Sequence, residues 1–452
     1  GFLCFDGMTV GAVANRTNTN PAEVFFMYAK LQKIISFSLF LISIGLSSLC
    51  FDAGLNKLLV TLPAYSPRSK QIVQQNIQYT ARELGVTDTT NKFPSSLNAK
   101  AACLIDADSG MVLFAKNADE KLPMASTTKI MTALIALESS DLSDTITFSS
   151  HAASMPDVQL NAMSGEQFTL RDLLYSLLLE SHNDTAVAIA EHVSGSTEAF
   201  ADKMNEKAVE LGLSSTHFVT PNGLDADEHY TTAKELCLIA SYALQNQTFC
   251  KIIRTPAHSF ANRTNTKQYH VTNHDAFLTN YAGAIGIKTG FTGNAGYCFC
   301  GAAKRGDITL ISSVLACGWP PHKTYKWTDT KKLMDYGFTN YKLVRLTETP
   351  MLQKIPVHGG RSNIMQPRRS VPARDTKLLM TSADTLRICY ELPHSLKAPI
   401  RSGDIIGYEN YYLNDTLLQS IPIASSSKIK EADAPYVARL LYQLYCITAI
   451  SG

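Results

Sequence analysis

Pro123-Met124-Ala125-Ser126-Thr127-Thr128-Lys129-Ile130-Met131-Thr132-Ala133-Leu134-Ile135-Ala136-Leu137 is the stretch on which the fold turns. A serine followed three residues later by a lysine opens an almost wholly apolar run. That run predicts a buried helix, with Ser126 at its N-cap and Lys129 one turn on, on the same face. A Ser N-cap followed by a solvated lysine is the usual meaning of such a pair. Here the lysine begins a helix with no polar face, where an ammonium is costly to bury. Desolvation and a neighbouring cation lower an amine's pKa, and a neutral amine beside a hydroxyl can act as its general base. The pattern alone is cheap, since Ser425/Lys428 and Ser427/Lys430 repeat it without that context.

Two further motifs follow in order. Ser181-His182-Asn183 separates an apolar segment, Leu170 to Leu179, from a second one resuming at Asp184, so it reads as a tight polar break between two buried helices. Ser96-Leu97-Asn98 shows that Ser-x-Asn also occurs in ordinary loops. Lys288-Thr289-Gly290 ends the segment from Ala284 and is followed by a glycine-rich turn. Tyr297 to Ala303, a turn at Lys304 to Asp307, and Ile308 to Leu315 complete a run of consecutive antiparallel strands. A strand edge bearing Lys, Thr and Gly suits a peptide that pairs with the backbone: glycine permits close approach, and the polar side chains meet a carboxylate.

Together, Ser126 to Lys129, Ser181 to Asn183 and Lys288 to Gly290 resemble the low-molecular-mass penicillin-binding proteins, the serine-type D-alanyl-D-alanine carboxypeptidases. Leu104 to Gly110, Thr220 to Asp225 and Gly286 to Gly293 are similar as well, so the resemblance spans roughly residues 97 to 345. Two positions depart from the family pattern. His182 stands where a small residue is common, and Lys326 stands in for an arginine that holds the substrate carboxylate.

The resemblance implies an α/β (α+β) fold: a β-lactamase/transpeptidase-like domain with a central antiparallel sheet flanked by helices. It implies that Ser126 attacks the penultimate D-alanine carbonyl of a peptidoglycan stem peptide ending in D-Ala-D-Ala, with Lys129 as base. The oxyanion is expected between the backbone N–H groups of Ser126 and Phe291. Ser181, held by Asn183 and Lys288, passes a proton to the leaving amine. Lys288, Thr289, Gly290, Phe291 and Lys326 bind substrate, and β-lactam antibiotics acylate Ser126. No cofactor or metal is implied; His258, His270 and His274 are scattered without ligand spacing.

Two other readings share these motifs. A class A β-lactamase needs a deacylating glutamate in a Glu-x-x-Leu-Asn context, and the nearest string, Glu210-Leu211-Gly212-Leu213-Ser214, lacks the asparagine. A non-catalytic penicillin-binding sensor or wall-binding module would acylate without turnover.

The 452 residues suffice for two domains, and a formal net charge of +2 with no basic run excludes a nucleic-acid partner. Residues 1–53 read as an upstream segment plus signal peptide: Met27 as the start, Lys30 and Lys33, then the apolar stretch Ile34 to Leu46. This places the protein outside the cytoplasm, at the outer face of the membrane. Residues 54–96 read as a linker, 97–345 as the catalytic domain, and 350–430 as a small β-rich domain. Residues 433–452 are too short to span a bilayer comfortably and read as an amphipathic anchor on the membrane surface, or else as a docked core helix. The ten cysteines are spaced irregularly, and Cys298 and Cys300 share one strand face, so free buried thiols are expected rather than a disulfide framework.

Overall fold

The computed structural model describes residues 72–87, 89, 93–94, 96–346, 351–370 and 377–450. The signal-peptide reading and the start at Met27 lie outside the described residues, as does the first part of the segment read as a linker.

The catalytic portion is built on a five-stranded antiparallel sheet. Its spatial order is Val112–Lys116, Ala101–Asp106, Ile308–Leu315, Gly296–Arg305 and Ala284–Thr292. Alternate residues of a strand point to opposite faces, and here both faces are covered. Ala101, Cys103 and Ile105 enter one core with Cys298, Cys300, Ile311 and the helical half of the domain. Ala102 and Leu104 enter the other with Phe299, Leu310 and the helix Tyr325–Asn340. This is why Ala101–Asp106 is buried at every position instead of at every second one. Gly337 lets that helix sit close, since a Cβ there would come within 2.5 Å of the Leu310 side chain. Cys298 and Cys300 do share a face, and both are free, buried thiols.

The helix Lys129–Ser139 runs through the centre of the helical half, buried from Lys129 to Ala136. Being surrounded, it has no polar face to show. One detail differs from the sequence reading: Ser126 is not the N-cap of this helix. It lies inside a 3-10 turn, Ala125–Thr128, which precedes the helix, and Ala125 has a positive φ of 47°. The tighter turn leaves the Ser126 hydroxyl free of capping duty.

The second motif is also shaped by an irregular helix. Leu170–Tyr175 runs on into a π-turn, Ser176–Glu180, and Ser181 then takes the left-handed conformation at φ 71° before the helix Asn183–Ser194. Positive φ is uncommon for a non-glycine residue, and π-turns concentrate at functional sites.

The C-terminal β-rich portion carries a second five-stranded sheet with its own core around Ile388, Tyr411, Ile421 and Ile423. Its order is Ile72–Thr80, Thr385–Pro393, Ile405–Leu413, Thr416–Ser425 and Pro367–Arg369. The edge strand Ile72–Thr80 comes from the stretch that reads as a linker, and pairs from Ile72 with Pro393 to Thr80 with Thr385. Ile77 and Tyr79 of that strand pack on the core, and the run Gln74-Gln75-Asn76 with Gln78 hides the pattern.

The helix Ala434–Ile450 follows. Val437, Leu440, Leu441, Tyr442 and Tyr445 are exposed on it, so it is not the docked core helix that was one of the two expectations. It is held at its start by Arg361, whose Nη2 donates to both Asp433 oxygens at 2.9 Å, with Tyr436 beside the guanidinium. Among the described residues, no helix is long and apolar enough to cross a membrane.

Candidate active site

The first two motifs and the Asn222 turn, distant in sequence, converge on one amine. Lys129 Nζ lies 2.9 Å from Ser126 Oγ, 2.9 Å from Asn183 Oδ1 and 2.6 Å from the carbonyl oxygen of Asn222. Two of these three partners, the Asn183 amide oxygen and the Asn222 carbonyl, can only accept. A neutral amine satisfies both with its two N–H bonds and turns its lone pair to the Ser126 hydroxyl, the arrangement a general base requires. Burial pushes the Lys129 pKa well below that of an ordinary lysine, and Lys288 pushes it the same way, against the opposing pull of Asp184.

Each partner is held in turn. Asn183 donates through Nδ2 to the carbonyls of Pro156 and Asp157, both at 3.1 Å, which fixes its oxygen toward Lys129. Asp184 accepts from the backbone of Leu160, Asn161 and Thr185 at 2.8–3.1 Å and so ties down the same loop. Asn222 is carried by the turn Pro221-Asn222-Gly223. There a Cβ on Gly223 would fall 2.1 Å from the Ala125 oxygen, at a φ of +82° that disfavours any side chain.

The nucleophile turn has a second brace. Thr128 Oγ1 donates to the Ala125 oxygen and also accepts, at 2.9 Å, from the Nε2–H of buried His229. The other ring nitrogen, Nδ1, accepts from Val219 N–H at 2.9 Å. Acceptance at Nδ1 requires a neutral imidazole, and burial depresses its pKa to about 4.

Lys288 and Gly290 point to the same side of the strand Ala284–Thr292. A Cβ on Gly290 would lie 3.0 Å from Ser126 N and 3.1 Å from Ala125 Cβ, so the third motif packs directly on the nucleophile turn. Lys288 is buried, its amine 3.0 Å from its own strand's Thr289 oxygen. Burial lowers its pKa to about 7, with Lys326 acting in the same direction. Asp275, also buried, is driven up to about 7 by desolvation, and its Oδ2 has no hydrogen-bond partner among the described residues. Thr289 is half-buried and Phe291 is exposed, its ring 4.6 Å from that of Tyr297.

Ser181 Oγ is likewise buried without a partner among the described residues. Such a hydroxyl calls for an explanation, and readiness to bond a ligand is one. Lys326 is half-buried on the helix behind, its amine 5.0 Å from the Tyr297 ring centroid and 4.9 Å from that of Trp327. Its place in the site is electrostatic, through Lys288. Asn222, His229 and Asp275 were not singled out as site residues from sequence. Asn222 lies within Thr220 to Asp225, one of the stretches that carry the resemblance, and the turn dipeptide Asn222-Gly223 marks the place.

A serine whose oxygen faces a buried, deprotonable lysine, with a second hydroxyl and a second buried lysine alongside, defines an active-site serine acyl-transfer enzyme. The comparisons narrow this class. Residues 87–318 match the family model of the D-alanyl-D-alanine carboxypeptidases, peptidase family S11, and residues 371–431 match the C-terminal domain of penicillin-binding protein 5. The chain is 32% identical over 342 residues to the D-alanyl-D-alanine carboxypeptidase DacF of Bacillus subtilis, covering 74% of this chain and 86% of that one. It is 30% identical to DacC of Escherichia coli over 353 residues, 74% and 85% of the two chains. Penicillin-binding protein 5 of Haemophilus influenzae superposes with a TM-score of 0.64 at 26% identity, covering 75% of this chain and all of the other. The protein therefore belongs to the D-alanyl-D-alanine carboxypeptidase family of serine-type, penicillin-binding peptidases.

Proposed function

We propose that Ser126 is the nucleophile and Lys129 its base in removing the terminal D-alanine from peptidoglycan stem peptides. The observation that carries this reading is the three-way coordination of the buried Lys129 amine by Ser126, Asn183 and Asn222. Lys129 takes the Ser126 proton as Oγ attacks the penultimate D-alanine carbonyl. The developing oxyanion is stabilised by fixed backbone dipoles, the N–H groups of Ser126 and Phe291. The close seat of Gly290 on the Ser126 backbone supports that pairing. Ser181 relays a proton to the departing D-alanine amine; its hydroxyl is not held by Asn183 and Lys288 as the resemblance implies, since Asn183 bonds Lys129, Pro156 and Asp157 and Lys288 bonds the Thr289 oxygen. Lys288, Thr289, Gly290 and Phe291 line the strand on which the peptide lies, and Lys326 adds positive potential for its carboxylate. Water then hydrolyses the acyl-enzyme.

A β-lactam presents a strained amide to the same serine and forms a persistent adduct. The test is peptide mass spectrometry of the penicillin-treated protein. The adduct mass is expected on the peptide holding Ser126 and missing from Ser126→Ala; an adduct on any other residue contradicts the assignment.

The domain limits proposed are 97–345 for catalysis and 350–430 for the β-rich domain, to whose sheet the strand Ile72–Thr80 adds an edge. The apolar stretch Ile34 to Leu46 behind Lys30 and Lys33 supports export by a signal peptide. The exposed apolar side chains of Ala434–Ile450 support its lying on the outer membrane–water interface.

A further inference from the structure

The residue between Ser181 and Asn183 has a hydrogen-bond chain of its own. His182 is buried, with only 5% of its side chain exposed. Its Nε2 lies 3.1 Å from Glu180 Oε2, and its Nδ1 lies 2.8 Å from Ser176 Oγ. Ser176 Oγ is in turn 2.8 Å from Thr185 Oγ1. The other Glu180 oxygen accepts from Thr272 N–H at 2.7 Å, on the strand Gln268–Thr272.

A carboxylate only accepts, so Nε2 carries the proton and Nδ1 accepts from Ser176. Ser176 then accepts from Thr185. The chain crosses the π-turn, the left-handed residue and the start of the helix Asn183–Ser194, and fastens all three to a neighbouring strand. Ser176, His182 and Glu180 have the outline of a hydrolytic triad. They are not a second active site, because Ser176 is fully buried and its hydroxyl is engaged twice.

We propose that neutral His182 is a positioning residue for acyl transfer: it clamps the turn that presents Ser181, and its protonation loosens that clamp. The proposal rests on the assignment of Ser181 as the proton relay. A proton on Nδ1 makes the ring a donor to Ser176, so both hydroxyl bonds along the chain must reverse. It also sets a cation beside the Ser181–Asn183 turn and near Lys129.

Several charges act on the ring. Burial and Lys129 oppose the imidazolium, while Asp184 and Glu180 favour it, with burial the largest. Other ionisable groups on the elements packed against this turn have partners of their own or face solvent: on the helix Asn183–Ser194, Glu191 pairs with His151 and His192 with Asp144, and Arg171 is exposed. Asp172 bonds His258, His270 bonds Ser259, Asp275 accepts from Phe277 N–H and Glu138 pairs with Lys207, while Lys251, Arg254 and His274 are exposed.

The experiment is the second-order acylation rate with a fluorescent penicillin from pH 5 to 9. It uses the full chain and the His182→Asn, His182→Ala, Glu180→Gln and Ser181→Ala variants, each checked by circular dichroism and melting. A misplaced reacting group costs on the order of a hundredfold. At pH 8, His182→Ala should therefore lose roughly tenfold to a hundredfold, and His182→Asn less, because its amide keeps one of the two bonds. On the acid side the wild type should lose rate with one more protonation than either His182 variant. Glu180→Gln should move that transition to lower pH, since it removes an anion that favours the imidazolium. An unchanged acid limb in His182→Asn, with Ser181→Ala impaired, overturns the clamp alone. Wild-type acylation by Ser181→Ala overturns both the clamp and the relay assignment beneath it.

Discussion

Gly290 and His229 show how much of the chemistry depends on what braces the nucleophile turn. A methyl group on Gly290 meets the Ser126 nitrogen at 3.0 Å and Ala125 Cβ at 3.1 Å, both on a turn with little freedom to give way. Gly290→Ala should therefore slow penicillin acylation by roughly tenfold or more, since even shifts well under 1 Å at a reacting group are felt, and should lower stability by about 1–3 kcal/mol as overpacking does. Stopped-flow acylation beside a thermal melt separates the two effects. His229 is buried neutral with a pKa of about 4, against 6.5 for the free side chain. Its folded form binds a proton less readily than the unfolded chain, so its contribution is intact above pH 6.5 and lost as pH falls towards 4. The loss should total about 3 kcal/mol, at 1.36 kcal/mol per pKa unit. Denaturant titrations at pH 7.5 and 4 should show His229→Asn to be less pH-sensitive than the wild type over that window.

At the scale of elements, the first two motifs could be read because each sits at a junction: Ser126 precedes a helix with no polar face, and Ser181 breaks two apolar helices. Lys288, read as ending its segment, lies mid-strand instead, because the strand continues through Gly290 to Thr292 within the antiparallel run. The two junction contrasts survive in one dimension. The 3-10 turn that displaces Ser126 from the N-cap does not, because Ala125 is held at positive φ by its surroundings and not by its own preference. Nor does the contribution of Asn222, whose backbone oxygen, not its side chain, receives Lys129. Any residue type offers a carbonyl, so only Gly223 marks the place. Gly223→Ala should be more damaging than a surface glycine substitution. It forces a Cβ to 2.1 Å from the Ala125 oxygen at φ +82°, and should cost at least 1–3 kcal/mol of stability in strain along with acylation. A loss of under 0.5 kcal/mol in urea titration would contradict that packing.

On the scale of the whole molecule, the strand Ile72–Thr80 lies more than 300 residues from its partner Thr385–Pro393, so the C-terminal sheet closes only when both ends of the described chain are present. Its run of glutamines and asparagine explains why this stretch reads as a linker: an edge strand needs one buried face, and Ile77 and Tyr79 stand on it. The C-terminal helix presents the opposite case, an apolar surface plain in the sequence whose exposure only the structure reveals. Replacing Leu440 and Leu441 with aspartate should abolish sedimentation with anionic lipid vesicles and leave the rate of D-alanine release within about twofold, since each buried leucine is worth about 1.5–3 kcal/mol and the helix is remote in sequence from the catalytic motifs. Equal sedimentation of both forms would remove the interfacial role.

The central claim is that Ser126, activated by Lys129, opens the terminal D-Ala-D-Ala bond. Release of D-alanine from a stem pentapeptide, measured for the wild type and for Ser126→Ala, tests it most directly. The account predicts steady release by the wild type and none above background by the variant. Release that survives in Ser126→Ala, or a folded wild type that releases nothing, would contradict it.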